Sequence, residues 1–295
     1  MRGCAISGLL GLGGWLALSA ALMAFLQRSH GHPPTATLGV GLLAGGIGWL
    51  SAGLLWAAVK AWRERAALAE ALRGQPPNDG REVVLSGRLE PMGRQLTAPL
   101  DGADCLAYAY EVLVDRGSGK RRSIAPCYRG SALAPSAIQT ATGTYRLLAV
   151  PDLDGVEPEA LDGATALARA TEYVRRTAFR PRGTSARELE ERWCDDDGAY
   201  RADVSYVEGE AVDLATCRLV QRHVRPGAPV CVFGLYSEAR GGIAPHPNWG
   251  RPTRLMVGDA ARVAADLGAS AVRRLVIGLL AGAAAAGLVA AFLSR

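Results

Sequence analysis

The chain has 295 residues, is 49% hydrophobic and carries a net charge of +5. A surplus that small, with no pattern of stacking aromatics, excludes a nucleic-acid-binding protein. Six cysteines with no C-x-x-C pair exclude a short disulfide framework, and they read as small buried thiols in a reducing compartment. The averages conceal a segregated sequence: the first 59 residues and the last 25 are almost free of charge, and the middle holds nearly all the Arg, Asp and Glu.

Residues 7–26 (SGLLGLGGWLALSAALMAFL) and 36–59 (ATLGVGLLAGGIGWLSAGLLWAAV) are uncharged runs. Each reaches the roughly 20 residues that a helix needs to cross a hydrocarbon core of ~30 Å. The first run has two readings. Arg2, an apolar stretch and small residues near Ala24 resemble a secretory signal, whereas the run's length and the short polar link before the second run favour a retained hairpin of two spans. Residues 60–73 (KAWRERAALAEALR) are strong helix formers stopped by Gly74 and Pro76-Pro77, a juxtamembrane helix over 60–74. Trp62, Arg63 and Arg65 suit the membrane–water boundary.

Strand patterns follow over 75–270. Residues 82–90 form a β run, and 105–115 alternate with Leu106, Tyr108, Tyr110, Val112 and Val114 on one face. Gly117-Ser118-Gly119 marks a hairpin turn into the basic Lys120–Arg122, and 144–150 is another run. A helical insertion spans about 163–194. Leu167, Ala170 and Val174 recur at helical spacing, and Ser185 with Glu188 makes a capping box for a second short helix. Strands resume at 200–207, 212–224 and 230–236. A hairpin is expected at Arg225-Pro226-Gly227 and a turn at Arg240-Gly241-Gly242. A short helix at 259–267 leads into a third apolar run, 275–294 (LVIGLLAGAAAAGLVAAFLS), within a membrane segment over 271–295.

The expected fold class is a membrane protein with three transmembrane helices plus one mainly antiparallel β (α+β) soluble domain. Lys60, Arg63, Arg65 and Arg73 follow the second span, and Arg262, Arg273 and Arg274 precede the third. The link between the first two spans has only Arg28. The positive-inside rule therefore puts the soluble domain and the N-terminus in the cytoplasm and the C-terminus outside. Richness in Ala, Gly and Arg suggests a high-GC bacterium, hence its inner membrane. Gly41/Gly45 and Gly278/Gly282 stand at G-x-x-x-G spacing, which suits a packed helix bundle or a homo-oligomer, and which chance also supplies in so Gly-rich a chain.

The stretch VVLSGRLEPMGRQLTAPLDGADCLAYAYEV (83–112) resembles the start of the GIDE domain, or beside-a-membrane domain, through Gly87, Leu96, Ala98-Pro99-Leu100, Cys105 and Tyr108. The stretch EGEAVDLATCRLVQRHVRPGAPVCVFGLYSEARGG (208–242) is similar to that family's closing hairpin. The family typifies membrane-embedded E3 ubiquitin ligases of mitochondria and chloroplasts and has bacterial relatives. Those ligases carry a RING finger, which needs eight Cys/His ligands in paired spacing. The four histidines and scattered cysteines here cannot build one, so the resemblance implies a membrane-adjacent module and not the ligase chemistry.

Nor does the sequence carry a G-x-S-x-G, P-loop, H-E-x-x-H or strand-linked G-x-G-x-x-G motif. Asp195-Asp196-Asp197-Gly198 lacks the alternation of a calcium loop and reads as a solvated turn. Cys217 and His223 lie six residues apart on one expected strand, on the order of 20 Å, too far for a nucleophile and its base. His223, between Arg222 and Arg225, reads as a surface or membrane-facing position. The loop at 246–251 is the one candidate ligand site: His246, Trp249 and Arg251 would bind a ligand or meet lipid headgroups, unless the loop is a plain connection. No catalytic residue, metal site or cofactor is expected. The expected function is a membrane-anchored, non-catalytic binding or scaffold protein whose partners are the lipid bilayer and another protein. The alternatives are a ligase-like component acting with a partner in trans and a structural envelope protein.

Overall fold

The computed structural model describes residues 2–30, 34–73, 76–116, 123–181, 200–207, 212–246 and 252–294. Among these residues the fold is mixed α+β, with four α-helices and a soluble β domain. The chain divides into two compact units, Met1–Ala67 with Ala264–Arg295, and Leu68–Val263.

The first unit is helical. It contains α1 (Arg2–His30) and most of α2 (Pro34–Ala71) and α4 (Ala260–Leu293). Among the described residues two helices, not the expected three, are long and apolar enough to cross a membrane: Thr37–Ala71 and Ala260–Leu293. The helices expected at 60–73 and 259–267 are present as parts of α2 and α4, each continuous with its apolar neighbour. No Gly or Pro interrupts residues 54–73, so nothing stops α2 at the end of its apolar run. At 1.5 Å per residue, α2 and α4 measure about 57 and 51 Å, well beyond the ~30 Å core.

The helices of this unit pack through small residues and backbone-directed hydrogen bonds. Trp15 Nε1 donates to Leu42 O at 3.2 Å. A Cβ added to Gly41 or Gly45 would run into Met23 or Ser19 of α1. Ser51 Oγ donates to Gly278 O at 2.7 Å, and a Cβ at Gly278 would press on Leu54 and Leu55. Both G-x-x-x-G pairs thus face other helices of the same chain. Trp56, Leu43 and Leu280, each about two-thirds exposed, point outward.

The second unit holds β1 (Glu82–Pro91), β2 (Leu96–Thr97), β3 (Asp104–Cys105), β4 (Ala107–Arg116), β5 (Ser123–Leu133), β6 (Ser136–Gln139), β7 (Thr144–Leu147), β8 (Asp152–Gly155) and β9 (Glu159–Leu161). After α3 (Ala164–Arg176) come β10 (Arg180–Pro181), β11 (Tyr200–Ser205), β12 (Arg218–Val224), β13 (Pro229–Ser237), β14 (Gly242–Ala244) and β15 (Arg254–Val257). One sheet runs β1-β6-β7-β14-β13-β15-β8, and a further β13–β1 pairing closes five of these strands into a ring. Leu85, Leu89, Ile138, Leu147, Val230, Val232 and Ile243 fill its core. The second sheet runs β10-β11-β5-β4-β12-β9. It buries Tyr108, Tyr110, Val112 and Leu219 with Ala166 and Ala170 of α3.

Two expectations of the β pattern need correction. Leu106 does not share the face of Tyr108 and Tyr110. It lies before β4 and joins the ring's core, while the tyrosines face α3. The turn at Arg225-Pro226-Gly227 does form, with Ala228 N bonded to Arg225 O at 3.2 Å and Gly227 at φ 74°. It is not a hairpin, because β12 pairs with β4 and β9 while β13 pairs with β1, β14 and β15. Local turn chemistry predicts a reversal, but it does not say which sheet the next strand joins.

Candidate functional site

Among the described residues of the soluble unit, a cleft of about 970 Å³ opens between α3, the β10–β11 edge and the Thr97–Pro99 segment. That is the size of a small-molecule or peptide side-chain site. Four arginines line it, Arg169, Arg176, Arg180 and Arg201, against two carboxylates, Glu172 and Asp203.

The floor is built from residues far apart in sequence. Asp203 on β11 is 5% exposed, and its Oδ1 accepts from Tyr110 Oη at 2.7 Å and from Tyr173 Oη at 2.9 Å. Two hydroxyl donors satisfy a carboxylate that burial would otherwise penalise. Gly130 on β5 lies directly across from Asp203, and a Cβ there would collide with Asp203 Oδ1 and the Tyr110 ring. A glycine is therefore required for the tyrosine to reach the carboxylate. Burial, and then the adjacent Asp203 charge, push the Tyr110 phenol well above its ordinary range. Burial and Tyr108 do the same to Tyr173. Both stay protonated donors across the physiological range. Tyr173 stacks edge-on against Tyr110 with centroids 5.4 Å apart, and the Arg201 guanidinium lies 6.0 Å from the Tyr173 ring centre.

The rim is set by α3. Ala166 and Ala170 are buried against the sheet, which turns Arg169, Glu172 and Arg176 toward the cleft. Glu172 is held by Arg175 at 2.8 Å and by Arg176, and the hydrogen bonds from Arg175 keep its carboxyl below the usual range. Arg169 makes no hydrogen bond or ion pair among the described residues, and its guanidinium covers Gly102. The sequence reading followed the apolar face of this helix, Leu167, Ala170 and Val174, and missed the basic one. The signal was present in Arg169, Glu172 and Arg176, spaced three and four apart.

A second cluster involves His223, which is partly buried rather than free on the surface. Its side chain is 12% exposed, with Nδ1 3.3 Å from Asp101 Oδ2. Asp101, Glu159 and His223 bring one donor atom each within 4.8 Å of one another, a spacing a divalent cation would span. Arg225 Nε donates to His223 Nε2 at 3.4 Å, which assigns the ring proton to Nδ1, facing Asp101. The cluster is thus complete as a His–carboxylate pair. Nearby, burial and then Asp101 and Asp104 push the Cys105 thiol up to about 12, so it is no nucleophile at neutral pH.

Of the expected ligand residues, His246 lies 3.6 Å from Glu82 Oε1, while Trp249 and Arg251 lie outside the described residues, as do Ser185, Glu188 and the Asp195–Gly198 run. Among the expected interface residues, Trp62, Arg63, Arg65 and Arg273 are exposed, and Arg274 is half-buried with Nη1 3.5 Å from Ala57 O. No family model, curated protein or solved structure matches the chain.

Proposed function

We propose that this chain is a membrane-anchored, non-catalytic binding protein whose soluble unit receives its ligand in the arginine-lined cleft. The observation that carries the reading is the cleft itself. It is a concavity with four guanidiniums around a pre-satisfied carboxylate floor, on a chain with two helices able to span a bilayer. Its tyrosine hydroxyls are held protonated, and its carboxylate is engaged by them. Such a site suits recognition rather than proton transfer or nucleophilic attack.

We take α1 as a third span, on its apolar run and its packing against α2 through Trp15 and Ser19. The flanking arginines support a cytoplasmic soluble domain on a multi-pass protein of a bacterial inner membrane. The resemblance to the beside-a-membrane domain supports a scaffold or adaptor role, with a protein partner and without ligase chemistry.

Two measurements test this. Alkaline carbonate should leave the chain in the membrane pellet, and recovery in the supernatant overturns the anchoring. A photo-crosslinking residue at Ala168, on the cleft wall, should acquire an adduct in cells, whereas one at Met92, exposed outside the cleft, should not. Identical adducts at both positions, or none at Ala168, overturn the binding role of the cleft.

A further inference from the structure

We infer that the cleft's ligand is an organic phosphate monoester, an inference that rests on the cleft being the binding site and names the chemistry it recognises. Charge sets the class. Two of the guanidiniums lining the cleft, those of Arg169 and Arg201, make no ion pair among the described residues. The carboxylates are already committed: Glu172 to Arg175 and Arg176, Asp203 to the hydroxyls of Tyr110 and Tyr173. A phosphate monoester near neutral pH carries about −1.5 to −2, a charge that the two guanidiniums of Arg169 and Arg201 match and that a monoanionic carboxylate does not.

Geometry agrees with charge. A guanidinium offers a planar fork of donors that matches phosphate oxygens in pairs. Arg169, which has no hydrogen-bond or ion-pair partner among the described residues, stands on one wall, and Arg201, laid over the Tyr173 ring, stands on another. Thr97, Thr165 and Thr177 line the same walls and add hydroxyl donors. The cavity of about 970 Å³ far exceeds a bare phosphate, and Ala98, Pro99, Ala168 and Ala178 offer apolar surface for a carbon body. The same chemistry reaches a membrane protein from two sources, a soluble phosphorylated metabolite or a lipid with a monoester headgroup.

The experiment is titration calorimetry on the full-length chain in detergent micelles, with glycerol 3-phosphate, a short-chain phosphatidic acid, and glycerol as the uncharged control. One of the two monoesters should bind and glycerol should not. The better-binding arm identifies the source. R169Q should weaken binding about tenfold, as expected for losing a charge-assisted hydrogen bond, and R169K should recover part of it. Arg169 is exposed and makes no hydrogen bond or ion pair among the described residues, so R169Q should leave the fold intact. R201Q provides a second reading, with circular dichroism to check folding. Failure of both monoesters at millimolar concentration, or binding indifferent to R169Q and R201Q, overturns the inference. If Ala168 still crosslinks in cells while both monoesters fail, the cleft binds a ligand of another class.

Discussion

At Asp203 one buried oxygen takes hydrogen bonds from two tyrosine hydroxyls that arrive from different elements, Tyr110 from β4 and Tyr173 from α3. The carboxylate therefore ties the helix to the sheet as well as forming the cleft floor. Removing it strands the Tyr110 hydroxyl, whereas Tyr173 keeps the Tyr108 hydroxyl at 3.4 Å: Asp203→Ala should cost about 1–3 kcal/mol for the buried donor left without an acceptor. Asp203→Asn keeps an amide oxygen at the same place and should cost less than Asp203→Ala. The check is the urea midpoint of the two variants. Equal losses would mean that packing, not hydrogen bonding, is what Asp203 supplies. None of this was legible in the sequence. Tyr110 and Asp203 are 93 residues apart and Tyr173 and Asp203 are 30 apart, and no local periodicity links a strand tyrosine to an acidic residue on another strand. The contact of His223 with Asp101 is illegible for the same reason: Asp101 lies on a loop that sequence spacing cannot place beside it.

At the scale of elements, the sequence was most informative where a single physical demand dominates. Apolar runs mark α2 and α4, alternation marks β4, and helical spacing marks α3. It failed where the answer depends on the next element. The Arg225–Gly227 turn changes sheets instead of making a hairpin, and Leu106 joins the ring's core instead of the face of Tyr108 and Tyr110. The packing of α2 on α4 gives a direct test of how these helices meet. A Cβ built on Gly282 lies 3.9 Å from the Cβ of Ser51, inside the 3.5–4.5 Å that a disulfide needs. The double variant Ser51→Cys with Gly282→Cys, in a chain whose own cysteines are replaced, should oxidise within one chain in native membranes. Proteolysis between the helices should then leave α2 and α4 fragments joined until reductant is added. A cross-link found only between two chains would assign Gly278 and Gly282 to an oligomer instead.

At the scale of the whole molecule, the charge asymmetry predicts the same sidedness whether or not α1 is retained. If α1 is retained, the chain crosses twice before the soluble domain, which shares the cytoplasm with the N-terminus. If α1 is a cleaved signal, the mature chain starts outside and α2 alone carries it inward. On either route the positive-inside rule predicts the domain on the side of Lys60, Arg63, Arg65 and Arg73, because each positive charge resists translocation. Two reporters separate the parts. Met92 is exposed on the soluble unit, so Met92→Cys in an otherwise cysteine-free chain should react with an impermeant maleimide only after the cells are opened. Labelling of intact cells would reverse the orientation. An epitope placed before Arg2 should remain on the full-length chain and should be protected from external protease. Its loss with a mass drop matching residues up to about 24 would make α1 a signal, leaving two spans and an unchanged side for the cleft. A protected, retained epitope, with Met92→Cys silent in intact cells, makes α1 a span that ends where α2 begins.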